Sequence, residues 1–103
     1  MITTHTDALR PEWEPLAAVF AALRDSYCQR VLLMLERGER LSIKEVSDRF
    51  PLNRNATMHY IRALQNAGPL STTKEGREAM VSVNKPLLLQ VLKRTLAYAE
   101  ESL

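Results

Sequence analysis

Leu41-Ser42-Ile43-Lys44-Glu45-Val46, followed after Pro51-Leu52 by Asn53-Arg54-Asn55-Ala56-Thr57-Met58-His59-Tyr60-Ile61-Arg62-Ala63-Leu64, is the stretch that decides the fold. Ser42 stands three residues before Glu45, so each side chain can satisfy the other's backbone N–H, and Leu41 can staple onto Val46. A helix therefore starts at Ile43. Phe50 precedes a proline, which disfavours helical geometry there, so this helix is short and ends at Phe50. After the turn Pro51-Leu52-Asn53, Asn53 is a good N-cap for a second helix. Thr57, Tyr60, Ile61 and Leu64 share one face of it, and Gly68 ends it. A short helix, a tight turn and a longer amphipathic helix make a helix-turn-helix.

Outward from this unit, the first ten residues, MITTHTDALR, are polar and aperiodic, and residues 1–11 read as a tail ahead of one domain at 12–103. Leu16, Val19, Phe20 and Leu23 recur at helical spacing after Pro15, which suits a first turn. Ser26 with Gln29 reads as a capping box, and Val31, Leu32 and Leu35 with Gly38 beyond predict a helix from about Tyr27 to Arg37. Beyond Pro69, Leu70-Ser71-Thr72-Thr73 and Ala79-Met80-Val81-Ser82-Val83 favour strands, joined by Lys74-Glu75-Gly76-Arg77 with its turn glycine. Pro86 opens a last helix in which Leu88, Leu92, Leu96, Ala99 and Leu103 recur at spacings of four and three. The expected fold class is mainly α with a small β-hairpin: a winged helix-turn-helix of five helices plus a two-stranded wing.

Composition bounds the rest. A chain of 103 residues with 46% apolar and 25% charged side chains suits one ordinary globular domain. No stretch approaches a membrane span, and the N-terminus lacks the basic start and apolar run of a secretion signal. Cys28 is the only cysteine, which excludes an intrachain disulfide and a cysteine pair for zinc and fits a reducing cytoplasm. Residues 1–39 carry four basic and six acidic side chains, whereas residues 40–85 carry eight basic and four acidic, so the excess positive charge lies in the middle. That suits a polyanion, although a plain solvated surface has the same look. There is no Ser-His-Asp set, no phosphate-cradling glycine loop and no carboxylate cluster, so no enzyme and no cofactor are expected.

The helix after the turn gains its meaning from its polar side. With Thr57, Ile61 and Leu64 toward the core, Arg54, Asn55, Met58 and His59 are expected outward, with Arg54 and His59 on the same presented face. Arginine pairs with guanine, asparagine with adenine, and an apolar tip rests on a thymine methyl, so these four are the candidate base readers in a DNA major groove. Ser42, Lys44, Arg62, Lys74 and Arg77 are candidate phosphate contacts, the last two as a basic wing beside the helix. The bland alternative is a helical hairpin with a merely solvated face; the basic wing favours the DNA reading.

Taken together, Ala22-Leu23-Arg24-Asp25, Arg30-Val31-Leu32, the stretch 41–46, residues 53–64, Asn66-Ala67-Gly68 and the Gly76-Arg77 wing resemble the ArsR/SmtB-type winged-helix repressors over about residues 16–98. The resemblance implies a recognition helix at about 54–67, a dimer built from the first and last helices, and repression relieved by an effector, which the sequence does not name. The candidate dimer residues are Leu16, Val19, Phe20, Leu88, Leu92, Leu96 and Ala99. The last helix has more apolar surface than one small core absorbs, and a two-fold dimer would match an inverted-repeat operator in double-stranded DNA. Metal-sensing members carry paired cysteines before the turn, or Asp and His in the last helix. Here the helix before the turn has no Cys or His and the last offers only Glu100 and Glu101, so no metal is expected. Cys28 falls in the first turn of a helix, where a thiol can become reactive, but a small buried hydrophobe is the favoured reading. A thiol sensor at Cys28, or a winged-helix module that holds another protein, are the alternative functions. His5 lies in the tail; Trp13 and Phe20 read as packing residues.

Overall fold

The computed structural model describes residues 10–103, so the expected tail, with His5, lies almost wholly outside the described residues. A 3₁₀ turn at Pro11–Trp13 leads into α1 (Glu14–Arg24), then α2 (Ser26–Met34), a 3₁₀ turn at Glu36–Gly38, β1 (Leu41–Ser42), α3 (Ile43–Arg49), α4 (Arg54–Ala67), β2 (Leu70–Glu75), β3 (Glu78–Val83) and α5 (Lys85–Ser102). The five helices are those expected. The wing, however, is three-stranded, in the order β1-β3-β2. Leu41 and Ser42 pair antiparallel with Val81 and Met80 before the chain turns into α3, so the staple residue Leu41 is also a sheet residue.

Local chemistry explains most boundaries. The Ser42 hydroxyl accepts from the Glu45 N–H at 3.0 Å and the Glu45 carboxylate accepts from the Ser42 N–H at 2.9 Å, completing the capping box. Hydrogen bonding from Ser42 to the charged form, first from its backbone N–H and then from its side chain, holds the Glu45 carboxyl below its ordinary range. Asn53 caps α4 through the Ala56 N–H at 2.9 Å, and such a cap is worth about 1 kcal/mol. Gly68 closes α4 at φ +110°, a backbone conformation that favours glycine, and a Cβ there would also have to push aside the tip of the Leu87 side chain, 2.7 Å away.

Two expectations at α2 are corrected. Its cap is Asp25, not Ser26, because the Asp25 carboxylate accepts from the N–H groups of Tyr27 and Cys28 at 2.8 and 3.0 Å. Gln29 donates instead to the Leu23 carbonyl. The helix ends at Met34 rather than Arg37, which itself sits at φ +61° in the following 3₁₀ turn. The strands also run further toward the tip than expected, leaving Gly76-Arg77 as the turn, with Gly76 at φ +63°.

Val31, Leu35, Val46, Ile61, Leu64 and Val81 are fully buried in one cluster drawn from α2 and its C-cap residue Leu35, α3, α4 and the sheet. Each contributes roughly 1.5–3 kcal/mol of burial, and together they fix α4 against α3 and the wing. Thr57 belongs to the same interior, its hydroxyl satisfied by donating to the Asn53 carbonyl at 2.8 Å. A smaller cluster of Leu16, Val19 and Val91 attaches α5 to α1.

Candidate nucleic-acid interface

The capping box aims the start of α3, and the buried face of α4 aims the opposite face of that helix outward. Between them and the wing lies an open groove of about 630 Å³, lined by Ser42, Ile43, Lys44, Arg54, Asn55, Met58, Arg62, Arg77, Glu78 and Ala79. Four cations and one carboxylate therefore share it. Three of the four expected base readers, Arg54, Asn55 and Met58, are among its walls, as are the expected phosphate contacts Lys44, Arg62 and Arg77. Met58 is half-buried and leans on the core, whereas Arg54, Asn55 and Arg62 are exposed.

Three of the expected site residues are placed differently. His59 does not share the groove: it lines a separate shallow depression with Ala18, Ala21, Asp25, Cys28 and Tyr60, on the flank of α4 that faces α1. Its ring lies edge-on to Tyr60, with centroids 5.1 Å apart. A residue five positions after Arg54 is rotated about 140° around the helix, so the two could not present one face. Ser42 borders the groove but is only 3% exposed, with N–H and hydroxyl both engaged in the cap, so its part is to set α3 rather than to offer a free donor. Lys74 is exposed on β2 outside the groove lining.

Lys44 is paired with Asp48 at 2.9 Å, a bond that raises its pKa, while the nearby Arg54 charge pulls the other way. Arg54, Arg62 and Arg77 have no carboxylate partner within 4 Å among the described residues. They are the groove's uncommitted cations. Sequence reasoning gave no role to Arg40 or Gln65, although both hold the wing: Arg40 pairs with Glu75 and donates to the Thr73 hydroxyl at 3.2 Å, and Gln65 donates to the Thr72 hydroxyl. Only the hidden strand β1, two residues long, would have pointed to Arg40.

No family model and no curated protein matches the chain. Solved structures do. An ArsR-like transcriptional regulator from Rhodococcus sp. RHA1 is 28% identical over 89% of this chain and 86% of its own, with a TM-score of 0.81. A second ArsR-family transcriptional regulator is 29% identical over 91% of this chain and 93% of its own, with a TM-score of 0.72. The chain has the winged helix-turn-helix fold of these ArsR-family transcriptional regulators. A homodimeric winged helix-turn-helix DNA-binding domain from Mycobacterium bovis, 14% identical over 93% of both chains at a TM-score of 0.67, shares the fold. The regulators among these neighbours form a non-enzymatic family.

The candidate dimer residues divide. Leu16 and Val19 are 3% and 0% exposed and pack on Val91 within the chain, so they are corrected from partner contacts to intrachain core. Leu88 also turns inward, half-buried beside them, while Trp13 stacks edge-on against Tyr98 at 4.7 Å and Arg94 donates to the Glu12 carbonyl. Phe20, Leu92, Leu96 and Ala99 remain exposed, and Leu89 joins them. Along α5, Leu88, Val91, Thr95 and Tyr98 form the inner seam. Leu89, Leu92, Leu96 and Ala99 form an outer one at alternating three- and four-residue spacing, continued by Leu103.

Cys28 is 2% exposed. Burial raises its thiol pKa, and the Asp25 carboxylate that caps the same helix end raises it further. The expected pull of the free N–H groups is spent on Asp25. The neutral thiol is thus the form the fold favours, so its stabilising contribution is whole below the ordinary thiol range and declines as pH rises through it. Cys28 should label with a small thiol reagent at neutral pH far more slowly in the native protein than in urea, and the melting midpoint should fall more steeply toward alkaline pH in the wild type than in Cys28→Ala. Equal native and denatured labelling rates would refute this. Among the described residues no group of three His, Cys, Asp or Glu could hold a metal, and no helix is long and apolar enough to cross a membrane.

Proposed function

We propose that this protein is a sequence-specific, double-stranded DNA-binding transcriptional regulator, acting in the cytoplasm as a homodimeric repressor that an effector releases. One observation carries the reading: a single groove collects Arg54, Asn55, Met58 and Arg62 from α4, Lys44 from α3 and Arg77 from the wing. A helix of this kind fits a major groove about 12 Å wide. The wing then lies over the next backbone segment, where Arg77 and Lys74 meet phosphates or the minor groove. Arg54, Asn55 and Met58 read bases; Arg62, a full two turns beyond Asn55, meets a phosphate.

The outer seam of α5, with Phe20, supplies the subunit contact. A two-fold dimer places the α4 helices about 34 Å apart, which suits an inverted repeat. Repression and its relief follow from the likeness to ArsR-type repressors. Cys28 does not enter the reading, because its thiol is buried and held toward the neutral form.

The test is selection of bound fragments from genomic DNA by the purified protein, followed by titration of the selected duplex at several salt concentrations. Enrichment of an inverted repeat, with affinity falling steeply as salt rises, is expected. Salt-insensitive or absent binding would favour a module that holds another protein instead.

A further inference from the structure

We propose that Arg40 is a positioning residue for the wing, holding β2 through Glu75 and Thr73 so that the hairpin tip stays alongside α4. The inference rests on the DNA-binding reading for its consequence, though not for its geometry. β2 is the outer strand of the sheet and pairs only with β3. Arg40, one residue before β1, nevertheless reaches β2 across the intervening strand, pairing with the Glu75 carboxylate and donating to the Thr73 hydroxyl.

Strand alternation puts Thr72 on the other face of β2 from Thr73 and Glu75. That face is held by α4, through the Gln65 amide donating to the Thr72 hydroxyl. The outer strand is thus gripped from both sides, by the recognition helix on one and by Arg40 on the other. Beyond the grip only Gly76 and Arg77 project, so the direction in which Arg77 is presented depends on it. Arg40, with its guanidinium committed to Glu75 and Thr73, acts through the wing rather than as a phosphate ligand.

The sign of one substitution tests this. Glu75→Gln removes a negative charge near a polyanion, so for a mere surface pair it should tighten binding of the selected duplex. Positioning predicts the reverse, a loss of about two- to fivefold, the size of an exposed ion pair. Hydroxyl-radical protection should vanish under the wing and persist under α4. Arg40→Glu with Glu75→Arg should recover most of what Arg40→Glu alone loses. Tighter binding by Glu75→Gln, or a swapped pair no better than Arg40→Glu, overturns the proposal. A readout without DNA separates the two readings: amide exchange across residues 72–79 of the free protein should quicken in both Arg40→Ala and Glu75→Gln, and unchanged exchange also overturns it. Quickened exchange in a protein that binds no duplex would leave the grip standing and remove the DNA-binding reading.

Discussion

Arg54→Ala is expected to weaken binding of the selected duplex by about 5- to 150-fold, the range of a lost bidentate base contact, while His59→Ala changes it less than about twofold, within the effect of an ordinary surface substitution. The contrast follows from geometry. Arg54 opens α4, lines the groove with Asn55 and Met58, and has no carboxylate partner within 4 Å among the described residues, so its fork is available to a base. His59 points along the other flank of the same helix, beside Tyr60 and the α1 alanines. A phosphate contact behaves differently again. Arg62→Ala should weaken selected and unrelated duplexes alike and reduce the salt slope by roughly one, whereas Arg54→Ala should relax preference at one base position. Fluorescence anisotropy titrations of each variant against both duplexes, at three salt concentrations, separate the cases. If Arg54→Ala loses affinity uniformly, Arg54 is a backbone ligand; if it loses none, the recognition surface lies elsewhere.

The sequence was most legible where bonds are local. Ser42 with Glu45, Asn53 with Ala56, and Gly68 at positive φ are contacts within a few residues, and each was readable because the residue type admits few other uses. What escaped was non-local or a matter of degree. β1 is two residues long and exists only because β3 lies beside it, a partner some 40 positions away. At α2, Asp25 and Ser26 are both good caps, and which one wins depends on where α1 ends. Helical periodicity placed Leu16, Val19 and Leu88 correctly on apolar faces but gave no sign of which partner each face meets. The same limit misplaced His59: polarity marked it as outward, and outward from α4 covers two different flanks.

The second large effect concerns the outer seam of α5. Leu92 and Leu96 are 47% and 59% exposed, and with Leu89 and Ala99 they repeat at the three- and four-residue spacing by which helices pair along a seam. Burying them within the chain would require α5 to rotate about its axis, yet Val91 on Leu16 and Val19, and Tyr98 on Trp13, fix that rotation. A second copy is the occupant the DNA reading asks for. Leu92→Glu combined with Leu96→Glu puts two carboxylates into that contact, where unpaired buried charge costs several kcal/mol per ion. The variant should sediment at 11.7 kDa rather than twice that mass. Its circular dichroism should be unchanged, since neither side chain supports the intrachain core. Losing the link between two half-sites should then lower affinity for an inverted repeat by about 10²- to 10⁴-fold, the usual gain from joining two binding modules, while a single half-site is bound about as before. A variant that keeps the doubled mass would move the subunit contact off α5, and a variant that is monomeric but retains full affinity would show that one copy suffices to read the site.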